Sequence, residues 1–205
     1  MSYEKTKRFI DIVFSAAGIL IVFPLWLLVA LSIKIDSKGP LIHKTKRLGI
    51  HGNLFIKYKF RTMVPDGEKI LQDLLKNDLN LREEYQKNYK IKNDPRVTRV
   101  GSFLRKTSMD ELPQLFNILK GEMSLVGPRD IIPPELEQHY GHCKEKFLSV
   151  KPGLTGLWQV NGRSRLPYEK RVRLDLFYID NRCLWLDLKI LLETIPAVLN
   201  GEGAM

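Results

Sequence analysis

The chain has 205 residues, a formal net charge of +10 and two cysteines, Cys143 and Cys183. That length suits one domain with a full core, and no low-complexity linker or second composition regime divides it. Two cysteines imply no disulfide framework, and His139, His142 and Cys143 lack the second cluster that would complete a zinc site. The basic surplus is spread along the chain, which suits nucleic acid, anionic lipid or phosphorylated small molecules, and charge alone does not choose among them.

The first predicted element is an apolar segment, residues 12–33, without one charged side chain. Its length, the Pro24 near its middle and the absence of a small-residue cleavage site before Lys34 exclude a signal peptide, so the segment is retained. It is long enough to span a bilayer. Pro24, however, lacks an N–H and clashes with the carbonyl of Leu20, which predicts a break there. Lys5, Lys7 and Arg8 precede the run, and Lys34, Lys38, Lys44, Lys46 and Arg47 follow it. Basic residues at both ends favour the same, cytoplasmic side. The reading therefore puts a re-entrant membrane helix over residues 1–36, broken at Pro24, ahead of a simple span, with residues 37–205 forming a cytoplasmic part at the interface.

The remainder reads as mixed α+β, mainly helical. Strands are expected at 41–46 and 54–61, joined through Gly49-Ile50-His51-Gly52 as a small β-hairpin. In the second strand Lys57, Lys59 and Arg61 alternate with apolar neighbours, a pattern that ordinarily makes a solvated face. Residues 66–90 have the spacing of an amphipathic helix, interrupted near 77–80. A short helix over 97–106 then delivers Arg105 beside Ser108.

The segment Arg105-Lys106-Thr107-Ser108-Met109-Asp110-Glu111-Leu112-Pro113 carries the chemistry. Ser108 and Glu111 have capping-box spacing, which predicts Asp110 in the first turn of a helix, where free N–H groups and the dipole favour negative charge. An ionised Asp110 is then a candidate nucleophile, and Arg105 and Lys106 are placed to help hold the phosphate it would attack. Taken alone, the same residues also describe an ordinary helix cap. Gly121 is the expected stop, followed by 123–126 and the rigid turn Gly127-Pro128-Arg129. Residues 151–156 and 160–164 read as glycine-rich turns, the second exposing Arg163, and turns of this kind can approach phosphate closely. Two helices close the chain, 167–180 and 184–199, the second apolar enough to lie in a membrane interface or a core.

Several of these stretches occur together in order: Lys7-Arg8-x-x-Asp11, 58–63, 105–117, 121–129, 152–156 and Asn161-Gly162-Arg163. Together they make a chain that resembles the bacterial sugar transferases, the monotopic phosphoglycosyl transferases, over nearly its whole length. The resemblance implies transfer of a sugar 1-phosphate from a UDP-sugar to undecaprenyl phosphate with release of UMP, at the cytoplasmic face of the bacterial inner membrane. It implies a ping-pong route with a covalent phosphosugar on Asp110, Mg2+ held by Asp110, and Glu111 as a supporting carboxylate. It assigns Lys59, Arg105, Arg129 and Arg163 to phosphate or nucleotide groups, and Asp187 to organising the site from the last helix. The region 66–93 resembles relatives that transfer galactose or glucose phosphate.

This chain departs from the family pattern at Asp130, where a second proline is common, and an acid beside Arg129 bears on the local geometry. A rival reading is a noncatalytic, membrane-tethered basic module for nucleic acid or acidic lipid, although no nucleic-acid-binding motif is present. Another is direct transfer in a ternary complex. The oligomeric state stays open, a homodimer included.

Overall fold

The computed structural model describes residues 2–89 and 91–200. Helix α1 (Tyr3–Asp36) is followed by the antiparallel pair β1 (Ile42–Leu48) and β2 (Leu54–Phe60), in register from Ile42 opposite Phe60 to Leu48 opposite Leu54. Helices α2 (Gly67–Asn77) and α3 (Leu79–Asn88) meet at Asp78, whose side chain accepts the Leu81 amide and starts the second. This is the predicted interruption; Lys90, the expected end, lies outside the described residues. Helix α4 (Arg99–Lys106) is capped by Thr98, which accepts from the Gly101 amide. Gly101 is required there, since a Cβ would stand 2.0 Å from the Thr62 carbonyl oxygen.

Helix α5 (Gln114–Lys120) ends at Gly121 in the left-handed conformation, as expected. Strand β3 (Ser124–Val126) then pairs in parallel with β4 (Gly153–Thr155). Residues 151–156 are therefore partly strand and not simply a turn. Their glycines serve backbone packing, because a Cβ on Gly153 would lie 2.1 Å from the Gly127 nitrogen. Between these strands lie α6 (Pro133–Tyr140) and α7 (Lys144–Phe147), and after them α8 (Leu157–Val160). The chain closes with α9 (Tyr168–Asn181) and α10 (Leu184–Leu199). The protein is mainly helical with two small sheets, which meets the expected class.

The larger apolar core gathers Ile118, Met123, Val126, Ile131, Tyr178 and Ile190 from α5 through α10. A second, formed by Val29, Ile33, Phe60 and Leu104, fastens α1 to β2 and α4. Helix α1 is the one helix among the described residues long and apolar enough to cross a membrane. Its inner stripe buries Asp11, Ser15, Val29 and Ile33, while Leu20, Ile21, Leu27 and Leu28 face outward uncovered. The interruption expected at Pro24 is not a gap in the helix, since Pro24 lies inside α1. Trp26, two residues further on, packs on the rings of Phe60 and Phe116 and so docks this part of the helix on the body.

Asp11 is 3% exposed and accepts from the Ser124 hydroxyl at 3.1 Å and the Leu125 amide at 2.9 Å, so one carboxylate joins α1 to β3. Replacing Asp11 by Ala strands two buried donors, at a cost of about 2–4 kcal/mol. An apparent melting temperature in detergent lowered by roughly 5–10 °C is expected. An unchanged melting point would show that Asp11 does not secure this joint.

Candidate active site

Strand β2 has one edge paired with β1, and its other edge is held by a single side chain. Asn117 is fully buried in α5; its Oδ1 accepts from the Tyr58 amide at 3.1 Å and its Nδ2 donates to the Ile56 carbonyl at 2.7 Å. The same Nδ2 donates to Glu122 at 2.6 Å. This grip fixes the strand on either side of Lys57 and Lys59.

The Lys59 ammonium stands between two carboxylates, 2.6 Å from Glu111 Oε1 and 3.3 Å from Asp110 Oδ2. Both acids lie in a 3-10 turn, Met109–Glu111, that precedes α5. The predicted capping box does not form. Ser108 adopts φ 56° and ψ 16°, whereas an N-cap side chain is aimed by an extended backbone, so the Glu111 amide bonds the Ser108 carbonyl instead. Asp110 accordingly sits before the helix and not in its first turn, and its charge is answered by side chains more than by a dipole.

Arg105 comes from the last turn of α4, with its Nε donating to Thr62 Oγ1 at 3.0 Å. Burial lowers its guanidinium below the ordinary value, and Asp110 attracts it in the opposite sense. The two carboxyls are driven apart. Burial raises Asp110 above the usual carboxylate range, more than Lys59 can offset. Burial acts on Glu111 in the same sense, but Lys59 and Lys57 outweigh it and hold Glu111 low. Lys59 is itself raised, because Glu111 and Asp110 together exceed the effect of burial.

Lys57 is buried rather than solvated, against the reading of the strand pattern. Burial brings it down to about 8, and its ammonium meets Asp130. Asp130 also has Arg47 Nε at 2.9 Å. Burial would raise Asp130, yet Lys57 and Arg47 hold it down to about 2. The acid that replaces the expected proline is therefore a partner for two hairpin cations beside the Asp110 cluster.

The other anticipated residues are placed elsewhere. Arg129 pairs with Glu135 at 3.2 Å and stacks over the Trp158 ring at 5.3 Å. Arg163 lies at the start of a 3-10 turn, with φ 51°, and no described contact joins its side chain to Asp110 or Lys59. Asp187 accepts from Lys7 at 2.8 Å, Tyr3 at 3.0 Å and Tyr178 at 2.7 Å, tying α10 to the start of α1. The structure thus joins Lys59, Asp110 and Glu111 directly, brings Arg105 within electrostatic reach of Asp110, and places Arg129, Arg163 and Asp187 elsewhere. Sequence reasoning passed over Lys57, Thr62 and Asn117 as site residues. A buried-face Asn inside the apolar run 115–119 was the available sign, since Asn disfavours helix interiors unless its amide is used. Among the described residues no three His, Cys, Asp or Glu side chains gather into a metal cage.

A buried carboxylate with one long ammonium contact, a second carboxylate beside it and the nearby Arg105 make a charged site suited to an anionic, phosphate-like group. Residues 2–201 match the bacterial sugar transferase family profile, and the chain belongs to that family. It is 50% identical over 198 residues to undecaprenyl-phosphate galactose phosphotransferase of Salmonella typhimurium, covering 97% of this chain and 41% of that protein. It is 43% identical to exopolysaccharide production protein ExoY of Sinorhizobium fredii, with 97% and 88% covered. With UDP-glucose:undecaprenyl-phosphate glucose-1-phosphate transferase of Klebsiella pneumoniae the identity is 39%, over 92% of this chain and 39% of that one. The chain therefore spans about two-fifths of the length of several curated relatives.

The raised Asp110 sets a sign for stability. Its ionised form is disfavoured in the folded protein, so near neutral pH the charge lowers stability, and the penalty vanishes below about pH 4, where the unfolded carboxyl also holds its proton. Asp110→Asn should therefore raise the apparent melting temperature at pH 7.5 by roughly 2–4 °C, with the gain disappearing on acidification. Melting curves of both proteins across that range test it; a variant less stable than the native chain at pH 7.5 contradicts the assignment.

Proposed function

We propose that the chain transfers a sugar 1-phosphate from a UDP-sugar to undecaprenyl phosphate, releasing UMP and starting assembly of a polysaccharide or glycoconjugate. The observation that carries this reading is the buried Asp110 carboxylate flanked by Lys59, Glu111 and Arg105 in a chain of this family. The names of its relatives point to galactose or glucose as the sugar.

In the proposed route an Asp110 oxygen attacks the sugar-bearing phosphorus. The bond from that phosphorus to the bridging oxygen breaks, and UMP leaves with the electron pair. The acyl phosphate so formed is then attacked by a phosphate oxygen of the acceptor, which frees the carboxylate. Lys59 and Arg105 hold charge on the diphosphate, Arg as a fork and Lys as a point charge. Glu111 keeps Lys59 in place while Asp110 is esterified. Arg129 and Arg163 are proposed for the nucleotide side, and Asp187 as an organiser acting through Tyr178 and Lys7. The carboxylate pair suits Mg2+, which commonly takes one or two carboxylates and completes its shell with water and substrate phosphate. Bound there, Mg2+ would neutralise diphosphate charge.

We assign residues 1–36 to an anchor that enters and leaves one membrane face, and 37–205 to a catalytic part at the cytoplasmic surface of the inner membrane. Both ends of α1 dock on the same body: Arg8 donates to the carbonyls of Ile118 and Leu119, and Asp36 accepts from the Val100 amide. A spanning helix needs about 20 residues clear of such a body. Here contacts recur at Asp11, Gly18, Trp26 and Ile33, and no such stretch is left.

With undecaprenyl phosphate and Mg2+, UDP-galactose or UDP-glucose should sustain UMP release, and Asp110→Asn should reduce it by about 10^3-fold or more. Without acceptor, a burst of UMP equal to the enzyme concentration is expected, and with donor and acceptor both varied, parallel double-reciprocal lines. Intersecting lines without a burst would favour direct transfer in a ternary complex. No release with any donor, from folded and membrane-bound protein, would favour the basic binding module. For the anchor, Cys143 and Cys183 are replaced and single cysteines placed at Ser2 and Lys38. An impermeant thiol reagent should label both from the same side of sealed inverted vesicles, whereas labelling from opposite sides would establish a span.

A further inference from the structure

A cavity of about 360 Å3 opens beside the start of α1, within the usual range of small-molecule sites. It lies at the far end of α5 from Asp110, because Arg8 reaches the last carbonyls of that helix and Asp110 precedes its first turn. Seven residues of helix, about 10 Å, separate the two places. None of Lys59, Arg105, Asp110 or Glu111 lines the cavity.

Four cations line it, Lys7, Arg8, Lys151 and Arg182, and they divide into two kinds. Lys7 is matched by Asp187 and Arg182 by Glu4. Arg8 is instead spent on two carbonyl oxygens, which carry no formal charge, and two of its five N–H donors suffice for that. Lys151 is half-buried with no acceptor among the described residues. Its Nζ and Arg8 Nη2 converge on one point, lying 3.5 and 3.4 Å from where a Cβ on Gly121 would stand. Asp11 also lines the cavity; its hydrogen bonds go to Ser124 and Leu125, and its charge, with that of Glu4, partly answers Lys151. Two cations brought together and bonded to no carboxylate among the described residues make a site for an anion; burial and Arg8 lower the Lys151 ammonium by more than Asp11 and Glu4 raise it.

We propose that this cavity binds a phosphate group between Lys151 and Arg8, separately from the Asp110 site. Arg supplies the forked donors and Lys the point charge that phosphate recognition uses. The surroundings suit a phosphate carrying an apolar tail. Phe9, 62% exposed, follows Arg8, and Trp185, 75% exposed, lies three residues after Arg182. The phosphate of an anionic phospholipid headgroup and free phosphate share this chemistry, and experiment separates them.

The full chain in a maltoside detergent would be titrated calorimetrically with dioctanoyl phosphatidylglycerol, with dioctanoylglycerol lacking phosphate, and with inorganic phosphate. Saturable binding of the phosphatidylglycerol alone supports a lipid source, and saturable binding of inorganic phosphate alone supports a soluble one. Lys151→Ala should weaken the binding about tenfold or more, Lys151→Arg should restore most of it, and Lys170→Ala, on an exposed part of α9, should leave it unchanged. Equal binding of lipid with and without phosphate, no saturable binding of either phosphate probe, or native affinity in Lys151→Ala would overturn the proposal.

Discussion

The Asn117 side chain takes the amide of Tyr58 and returns a hydrogen bond to the carbonyl of Ile56, so the outer edge of β2 is bound to α5 through one residue. A two-stranded ribbon is marginal on its own, and its free edge would otherwise exchange with water. With that edge fixed, Lys59 is held against the two acids that precede α5, and Lys57, two residues back, is held against Asp130. Helix α5, strand β2 and the Met109–Glu111 turn are thereby joined into one packed unit. Arg105 joins it through Thr62, which continues β2 and whose carbonyl also receives the Thr98 amide at the start of α4.

That rigidity matters because the site concentrates charge away from water. Asp110 and Lys57 are each buried, and an isolated buried ion is costly unless paired. The pairing is uneven in a useful way. Glu111 has the short contact with Lys59 and stays ionised, while Asp110 has the long one and is left underneutralised. On the proposed route, that underneutralised carboxylate would meet a phosphorus brought in with its own countercharge. Asp130 belongs to the same balance: it pairs directly with Lys57 and Arg47, while Lys57 also helps hold Glu111 low.

Features set by local pattern were legible in the sequence. The hairpin, the interruption at Asp78, the Gly121 stop and the two closing helices all follow from turn chemistry and periodicity. So did the grouping of Lys59, Arg105, Asp110 and Glu111, which the ordered motifs carried. What failed depended on backbone conformation or on distant partners. The capping box was lost to one left-handed residue, Ser108. Strands β3 and β4 are three residues each, too short for alternation to register, and pair across 29 positions between Ser124 and Gly153. The burial of Lys57 could not be read from β2, because its partner Asp130 is brought in from beyond α5.

The course of α1 connects this site to lipid. Because α5 lies along the helix, from Leu115 near Gly18 to the carbonyls that bind Arg8, the catalytic turn stands level with the Trp26–Val29 part of α1 and not at its end. The outward residues Leu20, Ile21, Leu27 and Leu28 are uncovered along that same length, and α10 exposes Trp185, Leu192, Ile195 and Leu199. Apolar surface on this scale is stable when it meets hydrocarbon. If α1 stood upright across the membrane, the charged cluster packed beside it would have to enter the hydrocarbon as well, at several kcal/mol for each ion. A shallow helix avoids that cost and still keeps Asp110 at the level where a phosphate on an isoprenoid chain would be presented. Under the proposed function, the geometry of one helix would then set both how the protein is held and which end of a lipid substrate its carboxylate could meet.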